Sequence, residues 1–187
     1  MSLFEFLMVL VSIIVGLGIA EVLSGIARLI RYRGSITGYW VHSVLVMALF
    51  FALLQQWWEI WGLHAVPDWT FFGLLMMLAG PVGLFLIAHL LFPEPMQGAN
   101  LREYYDGPMR PIWWLAAVTV VLSTSFRPLV FDMDLFMGDN ASSVVLFFGF
   151  IALATFRRPL VHVILVPAFL FVVVVDIFQW NFVIGQN

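Results

Sequence analysis

Residues 3 to 33 read LFEFLMVLVSIIVGLGIAEVLSGIARLIRYR, a long apolar run that ends in a cluster of arginines. About 20 apolar residues are enough to carry a helix across the hydrocarbon core of a bilayer. The run lacks the basic start of a signal peptide, and it is too long to be a cleaved apolar segment. We therefore expect it to be retained as the first of several membrane-spanning helices.

The composition of the whole chain also indicates a membrane protein. Hydrophobic residues make up 63% of the 187 residues and charged residues only 10%, whereas soluble domains carry about 25% charged residues. Because the sequence has no cysteine, disulfides, thiolate metal sites and a cysteine nucleophile are excluded. The net charge of -3 provides no basic surface for nucleic acid. We expect one integral membrane domain over residues 1–187.

Further apolar runs predict more helices, and prolines mark their boundaries. Pro93 and Pro95 follow the third run, while Pro111 and Pro159 stand where a helix begins without losing a needed N–H group. The predicted fold class is therefore all-α, a polytopic membrane helix bundle. Its six predicted transmembrane spans are 3–27, 40–62, 69–92, 111–130, 142–156 and 159–182, of which the fifth is short.

The basic residues predict the topology. All eight are arginines, and seven of them fall in alternate gaps between the apolar runs. Arginine concentrates in cytoplasmic loops, so the first, third and fifth loops are predicted to face the cytoplasm and both termini the outer side of the cell inner membrane. The seven are Arg28, Arg31, Arg33, Arg102, Arg110, Arg157 and Arg158.

Small side chains recur every four residues along the first predicted helix. In lipid, helices associate where small residues allow their backbones to approach closely. We expect this face to pack on another helix, and the sequence leaves open whether that helix belongs to the same chain or to a second protomer. The small-residue stripe consists of Ser12, Gly16, Ala20 and Ser24.

The N-terminal part of the chain also resembles a known group. The FEF start, the GLGIAEVLSG core and the arginine-rich exit are similar to the N-termini of a family of small uncharacterised bacterial membrane proteins. The resemblance implies a bacterial inner membrane. It implies no activity, cofactor or binding residue.

Polar side chains in the outer half of three predicted helices form one candidate site, since such groups are costly in lipid unless they are paired or hydrated. Gln55 and Glu59 share a helical face, and so do Asp176 and Gln179. We expect a salt bridge between Arg127 and Asp176, with Glu59 as the competing partner of the arginine. The transport or ion-pair candidates are Gln55, Gln56, Glu59, Arg127, Asp176 and Gln179.

A second polar group is predicted near the cytoplasmic ends of the helices. Neutral imidazoles on facing helices bind haem iron or a divalent metal, and with Glu21 they would relay protons. Hydrogen-bonded structural histidines explain the same pattern, so no cofactor is predicted and haem or a divalent metal is the alternative. The candidate ligands are His42, His89 and His162.

Three functions remain open at this point. The favoured one is a channel or transport protein with its site in the outer polar group, because carboxylates, an arginine and glutamines on three helices exceed what packing requires. The alternatives are a non-catalytic subunit of a larger membrane complex and a haem- or metal-binding redox protein. No phosphate-binding, zinc-peptidase or serine-hydrolase motif points to an enzyme. The expected partners are the lipid bilayer and either a second copy or a membrane complex.

Overall fold

The computed structural model describes residues 3–64, 69–131 and 141–179. Within these ranges the chain is helical, and its only strand-like feature is one pair of bridged residues. A single 3-10 turn, Trp61–Leu63, extends the second helix. The α-helices are α1 (Leu3–Arg31), α2 (Trp40–Ile60), α3 (Phe71–Leu90), α4 (Leu101–Asp106), α5 (Pro111–Phe131), α6 (Ala141–Thr155) and α7 (Pro159–Gln179).

Four helices are long and apolar enough to cross a membrane, by their length and composition. They are Phe4–Arg31, Trp40–Leu63, Phe71–Leu90 and Pro159–Phe178. The prediction of an all-α fold is confirmed for the described residues, and the four candidate spans agree with a membrane protein. Two shorter apolar helices, Pro111–Phe126 and Ser142–Thr155, occupy the stretches predicted as the fourth and fifth spans.

The helix boundaries follow local chemistry. The Thr70 hydroxyl accepts a hydrogen bond from the Gly73 backbone N–H at 3.0 Å and so caps α3. The Asn100 side chain accepts two backbone hydrogen bonds at the start of α4. Helices α5 and α7 begin at Pro111 and Pro159, as the sequence predicts.

The six long helices form a closed ring. Its order is α1, α3, α5, α6, α7 and α2, and α2 in turn contacts α1. Helix α2 also contacts α3, which leaves α1 outside a smaller circle made of α2, α3, α5, α6 and α7. A space enclosed by these five helices is therefore independent of α1.

The glycines of α1 show where this helix packs within the chain. Its close approaches use other glycines than the small-residue stripe. A Cβ atom on Gly18 would lie 2.8 Å from Leu53, and one on Gly25 would overlap the Phe92 ring, whereas one on Gly16 meets no atom within 4 Å. In the single chain all four residues of the stripe are exposed, although the Ser12 hydroxyl accepts a hydrogen bond from Trp57 Nε1 at 2.9 Å. That the stripe packs on another helix, of this chain or of a second protomer, therefore stays a prediction. The buried face of α1 carries Val11, Val15 and Val22 instead.

These glycines provide a matched test of the α1 packing. Gly25→Leu is expected to lower the free energy of unfolding by about 2 kcal/mol through overpacking, because the Phe92 ring is itself buried against His42. Gly16→Leu is the control and is expected to change the stability of the monomer little. Thermal unfolding of the purified protein in one detergent measures both variants, and equal losses would contradict this packing.

Loops one and three are joined to each other at one end of the bundle. The Thr37 N–H donates to the Ala99 carbonyl, and the Leu101 N–H donates to the Thr37 carbonyl, both at 3.0 Å. Arg28 Nη1 lies 2.8 Å from Glu94 Oε1 in the third loop. These bonds tie the end of α1 and the chain that follows it to the chain after α3.

The third loop is also bound to the ends of helices. The Tyr104 hydroxyl donates to the Leu90 carbonyl at 2.9 Å, and Arg110 Nη2 donates to the Ala154 carbonyl at 3.0 Å. Cationic groups are favourable at the C-terminus of a helix, which is where Ala154 lies on α6. The loops that carry the seven arginines thus share one end of the bundle, which we call the arginine end.

Candidate functional site

A cavity of about 230 Å³ lies between α2, α3, α5, α6 and α7. No described residue of α1 lines it, as the ring of helices leads one to expect. Pockets for drug-sized molecules measure about 300 to 1,000 Å³. This cavity therefore has the size for a smaller ligand.

The lining of the cavity changes character along α2. Leu45 and Leu49, nearer the arginine end, are followed by Gln55, Gln56 and Glu59 farther along the helix. The three polar side chains are half-buried. Ile60 and Leu63 line the cavity beyond Glu59. The α2 wall is thus apolar toward the arginine end, polar at Gln55, Gln56 and Glu59, and apolar again farther on.

Helices α6 and α7 repeat this change. On α7, Phe169 precedes Asp176, and α7 begins at the arginine end. On α6, which runs in the opposite direction, Ser142 precedes Phe150. Both walls are therefore polar at the same end as α2.

Helix α5 shows the same order, with Ile112 and Trp113 near the arginine end and the hydroxyls of Thr119 and Ser123 beyond them. The polar lining residues of these four helices thus lie in the same part of the cavity. Apolar residues also line this part, namely Ile60, Leu63, Met76, Met77 and Phe126. We call the far part the polar half, defined by Gln55, Gln56, Glu59, Ser123, Ser142 and Asp176. The part near the arginine end is the apolar half, defined by Leu45, Leu49, Ile112, Trp113, Phe150 and Phe169.

A hydrogen-bonded network joins the carboxylates of the polar half. Asp176 is buried, and its carboxylate accepts hydrogen bonds from the Ser142 hydroxyl and the Gln55 amide. Gln55 Nε2 also donates to Glu59 Oε1 at 2.8 Å. An amide group has two N–H hydrogens, so one glutamine links a carboxylate of α2 to a carboxylate of α7. Both acids consequently face the same small volume.

Glycines let α3 form the wall opposite this network. A Cβ atom on Gly80 would lie 2.5 Å from Ser123 Oγ and 3.0 Å from Gln56 Oε1. A Cβ atom on Gly83 would overlap the side chain of Thr119 on α5. The polar side chains of α2 and α5 therefore reach the surface of α3 because these positions carry no side chain.

The structure brings together four of the six outer candidates, namely Gln55, Gln56, Glu59 and Asp176, in the lining of one cavity. The side chains of Arg127 and Gln179 lie outside the described residues, so the salt bridge between Arg127 and Asp176 stays a prediction. Sequence reasoning missed Thr119 and Ser123, although their i,i+4 spacing puts two hydroxyls on one helical face. It also missed Ser142, which stands at the start of a helix and resembles a capping residue.

The inner candidates do not share one site. His42 Nε2 donates to the Leu91 carbonyl at 2.8 Å, and His42 is fully buried. His89 is exposed, and its Nδ1 lies 3.2 Å from Glu21 Oε1. Among the described residues, no three histidine or acidic side chains are placed to hold a metal ion. The histidines act in separate local contacts.

His162 belongs to a contact between α4 and α7. Its Nε2 lies 3.0 Å from the Phe156 carbonyl, which only accepts, so Nδ1 is the acceptor for the Tyr105 hydroxyl at 2.9 Å. Burial raises the pKa of Tyr105, and the hydroxyl therefore keeps the proton that it donates. This contact holds α4 against the arginine end of the cavity.

Tyr105→Phe is expected to lower the free energy of unfolding by about 1 to 2 kcal/mol, because the buried Nδ1 of His162 loses its donor. Tyr104→Phe is the matched control. Its hydroxyl lies 2.9 Å from the Leu90 carbonyl and 3.2 Å from the Phe92 carbonyl, but these bonds are exposed or half-buried and water replaces them more readily. Thermal unfolding should show the larger loss for Tyr105→Phe, and the reverse order would contradict the geometry.

Trp113 lies at the arginine end of the cavity and connects it to α4. Its side chain is 1% exposed. Its ring centroid lies 5.9 Å from that of Tyr105, 6.2 Å from that of Phe150 and 6.0 Å from that of His162. Its indole N–H has no hydrogen-bond partner in the part of the chain that the structure describes. The apolar half of the cavity thus ends in a cluster of packed rings.

Comparisons with protein family models, with curated proteins and with solved structures found no match to this chain. The resemblance of the N-terminal residues to a bacterial membrane family stays a prediction. The cavity and its lining are therefore the features that bear on function.

Proposed function

We propose that this protein is a small multi-pass transport or channel protein of the bacterial inner membrane. The observation that carries the proposal is the pair of carboxylates, Glu59 and Asp176, linked by Gln55 in the lining of a central cavity. Ionisable groups within membrane helices are costly and commonly mark a pathway for substrate, ions or protons. Packing of the bundle alone does not require them at a cavity.

The proposal includes six membrane spans, with α5 and α6 as the fourth and fifth. The arginine end faces the cytoplasm, and both termini face outward. Helix α6 has 15 residues, which at 1.5 Å per residue gives about 22 Å, less than the hydrocarbon thickness of about 30 Å. Local thinning of the bilayer accommodates such a helix.

Single cysteines test the topology, because the natural chain contains none. Ser35→Cys and Gln97→Cys lie on exposed loops at the arginine end, and His64→Cys is exposed after α2. In intact spheroplasts, a membrane-impermeant maleimide is expected to label His64→Cys alone, and opened cells should show labelling of all three. Labelling of the two loop positions in intact spheroplasts would contradict the proposed orientation.

Flux measurements test the function itself. The purified protein in liposomes is expected to carry ions, protons or small organic cations, and Asp176→Asn is expected to reduce the flux at least tenfold. Asp106→Asn, an exposed acidic residue at the arginine end, is the control and should leave the flux unchanged. Absence of flux under every imposed gradient would count against transport.

The exposed small-residue stripe of α1 favours a second candidate function, a non-catalytic subunit of a larger membrane assembly. Small residues allow close helix contacts in lipid, and Gly16 faces open space in the single chain. Gly16→Leu is then expected to release the chain from a co-purifying assembly. A wild-type protein that purifies as a lone monomer would exclude this function.

A further inference from the structure

We propose that the loop between α6 and α7 binds the headgroup of an anionic phospholipid, whose acyl chains lie along the exposed apolar faces of these two helices. The residues that contact the phosphate are Arg157 and Arg158. The proposal rests on the part of the proposed function that makes α6 and α7 membrane spans, and it does not depend on transport. Charge, apolar surroundings and depth support it.

The two arginines of this loop have no anionic partner within the described parts of the chain. At the same end of the bundle, Arg28 lies 2.8 Å from Glu94, and Arg110 donates to a carbonyl of α6. Arg157 and Arg158 are exposed and form no salt bridge with a residue that the structure describes. Adjacent cations repel each other, so a phosphate bound between them lowers the electrostatic energy of the loop.

Apolar side chains flank the two arginines. Phe156 is 56% exposed and Leu160 is 72% exposed. Burial of such side chains in hydrocarbon is favourable, and the long side chain of an arginine can extend from there to the headgroups. The loop therefore has the composition of a segment at the boundary between hydrocarbon and phosphate.

The exposed apolar surface continues along both helices. Leu160, Ile164 and Phe171 lie on one face of α7 and are exposed. Phe148 is exposed on α6, which contacts α7. This surface runs from the arginines toward the other end of the bundle, the direction in which acyl chains extend from a lipid phosphate.

The arginines of the first loop differ in depth. Arg31 and Arg33 are also exposed, but Glu21 of α1 already lies 3.2 Å from His89 in the last turn of α3. Arg31 comes ten residues after Glu21 on the same helix, which is about 15 Å farther along its axis. Arg157 instead follows directly after the short helix α6. The loop after α6 therefore lies closer to the hydrocarbon than the first loop does.

The chemistry of arginine favours a headgroup with a net negative charge. A guanidinium group presents five N–H donors in a planar fork that matches the oxygens of a phosphate. Basic side chains at the cytoplasmic surface attract anionic lipids. A zwitterionic headgroup also carries an ammonium group, which two guanidinium groups repel.

The test is a titration of the full chain in detergent micelles with phosphatidylglycerol, followed by native mass spectrometry. We expect saturable binding that is at least tenfold tighter than binding of phosphatidylcholine with the same acyl chains. Equal affinity for the two lipids would overturn the proposal and leave the arginines with a role in topology alone. Inorganic phosphate at the same concentration should not displace the lipid, and displacement would overturn the assignment to a phospholipid.

Paired variants locate the site. Arg157→Gln combined with Arg158→Gln is expected to weaken binding of phosphatidylglycerol at least tenfold. Arg31→Gln combined with Arg33→Gln removes the same charge from the same end and is expected to weaken binding clearly less. Equal losses would contradict a site in the loop after α6. The comparison of the two lipids in the unmodified protein decides the question even where a double variant inserts poorly.

This proposal and the transport function fail in distinguishable ways. Ion flux without preference for phosphatidylglycerol overturns the lipid site and leaves transport in place. Preference for phosphatidylglycerol without flux of any kind supports the lipid site and overturns transport.

Discussion

Trp113→Ala is expected to lower the free energy of unfolding by about 4 kcal/mol, the range found when a buried tryptophan is truncated. The side chain is almost completely buried, and its ring packs on Tyr105, Phe150 and His162. Its removal would enlarge the cavity and separate α4 from α5 and α7. The bundle should therefore lose its packing at the arginine end.

The neighbouring tryptophan provides the control. Trp114 is 50% exposed on the outside of α5, so Trp114→Ala should lower the free energy of unfolding much less. Chemical unfolding in mixed micelles, followed by circular dichroism, measures both variants. Similar losses at the two positions would show that Trp113 is not the centre of the ring cluster.

Gln55→Leu is expected to lower the free energy of unfolding by about 3 kcal/mol. Glu59 and Asp176 would each lose a hydrogen bond from the same amide, and hydrogen bonds to charged groups contribute about 1.5 to 3 kcal/mol each. Gln56→Leu is the matched control. This residue also lines the cavity but does not link the two carboxylates, so a smaller loss is expected.

A double-mutant cycle separates the network from simple packing. In an Asp176→Leu background, Gln55→Leu should cost clearly less than in the natural protein, because one of the two acceptors is gone. Residues in one hydrogen-bond network show coupling of about 0.5 to 3 kcal/mol. Strictly additive losses would contradict a shared network.

Sequence patterns predicted the features that vary along the helix axis, namely the length of a helix, its start and the depth of its polar residues. Apolar length predicts the long helices, and prolines such as Pro111 and Pro159 predict their starts. Counting residues from the arginine loops placed Gln55 and Asp176 at similar depth on different helices. The structure shows both residues in one hydrogen-bonded network. The depth of a polar residue along the bundle was therefore predictable from the sequence.

The sequence did not predict in the same way which face of a helix is buried against its neighbours. Helix α1 has small residues on two faces, at Gly16 and at Gly18, and only tertiary packing decides which face is buried. The inner histidines lie at similar depth, yet His89 and His162 belong to α3 and α7, which are not neighbours in the ring. Equal depth therefore did not give a shared site.

Hydropathy also did not predict the short helix α4. Its sequence, LREYYD, is polar and only 6 residues long, so it resembles a surface loop. Tyr105 is nevertheless buried, because its ring contacts come from Tyr39, Trp113 and His162 on other elements. Such contacts depend on residues distant in sequence.

The bonds at the arginine end have a mechanical consequence. Hydrogen bonds connect the third loop to the chain after α1 and to the ends of α3, α6 and α7. The residues that make them are Thr37, Tyr104, Tyr105 and Arg110. These helices are therefore held in place at the arginine end. A helix of 20 residues is about 30 Å long, and a tilt of about 5° at its base moves its free end by about 2.6 Å. Motion of the bundle should therefore change the width of the polar half most, while the ring cluster around Trp113 stays nearly still and acts as the pivot.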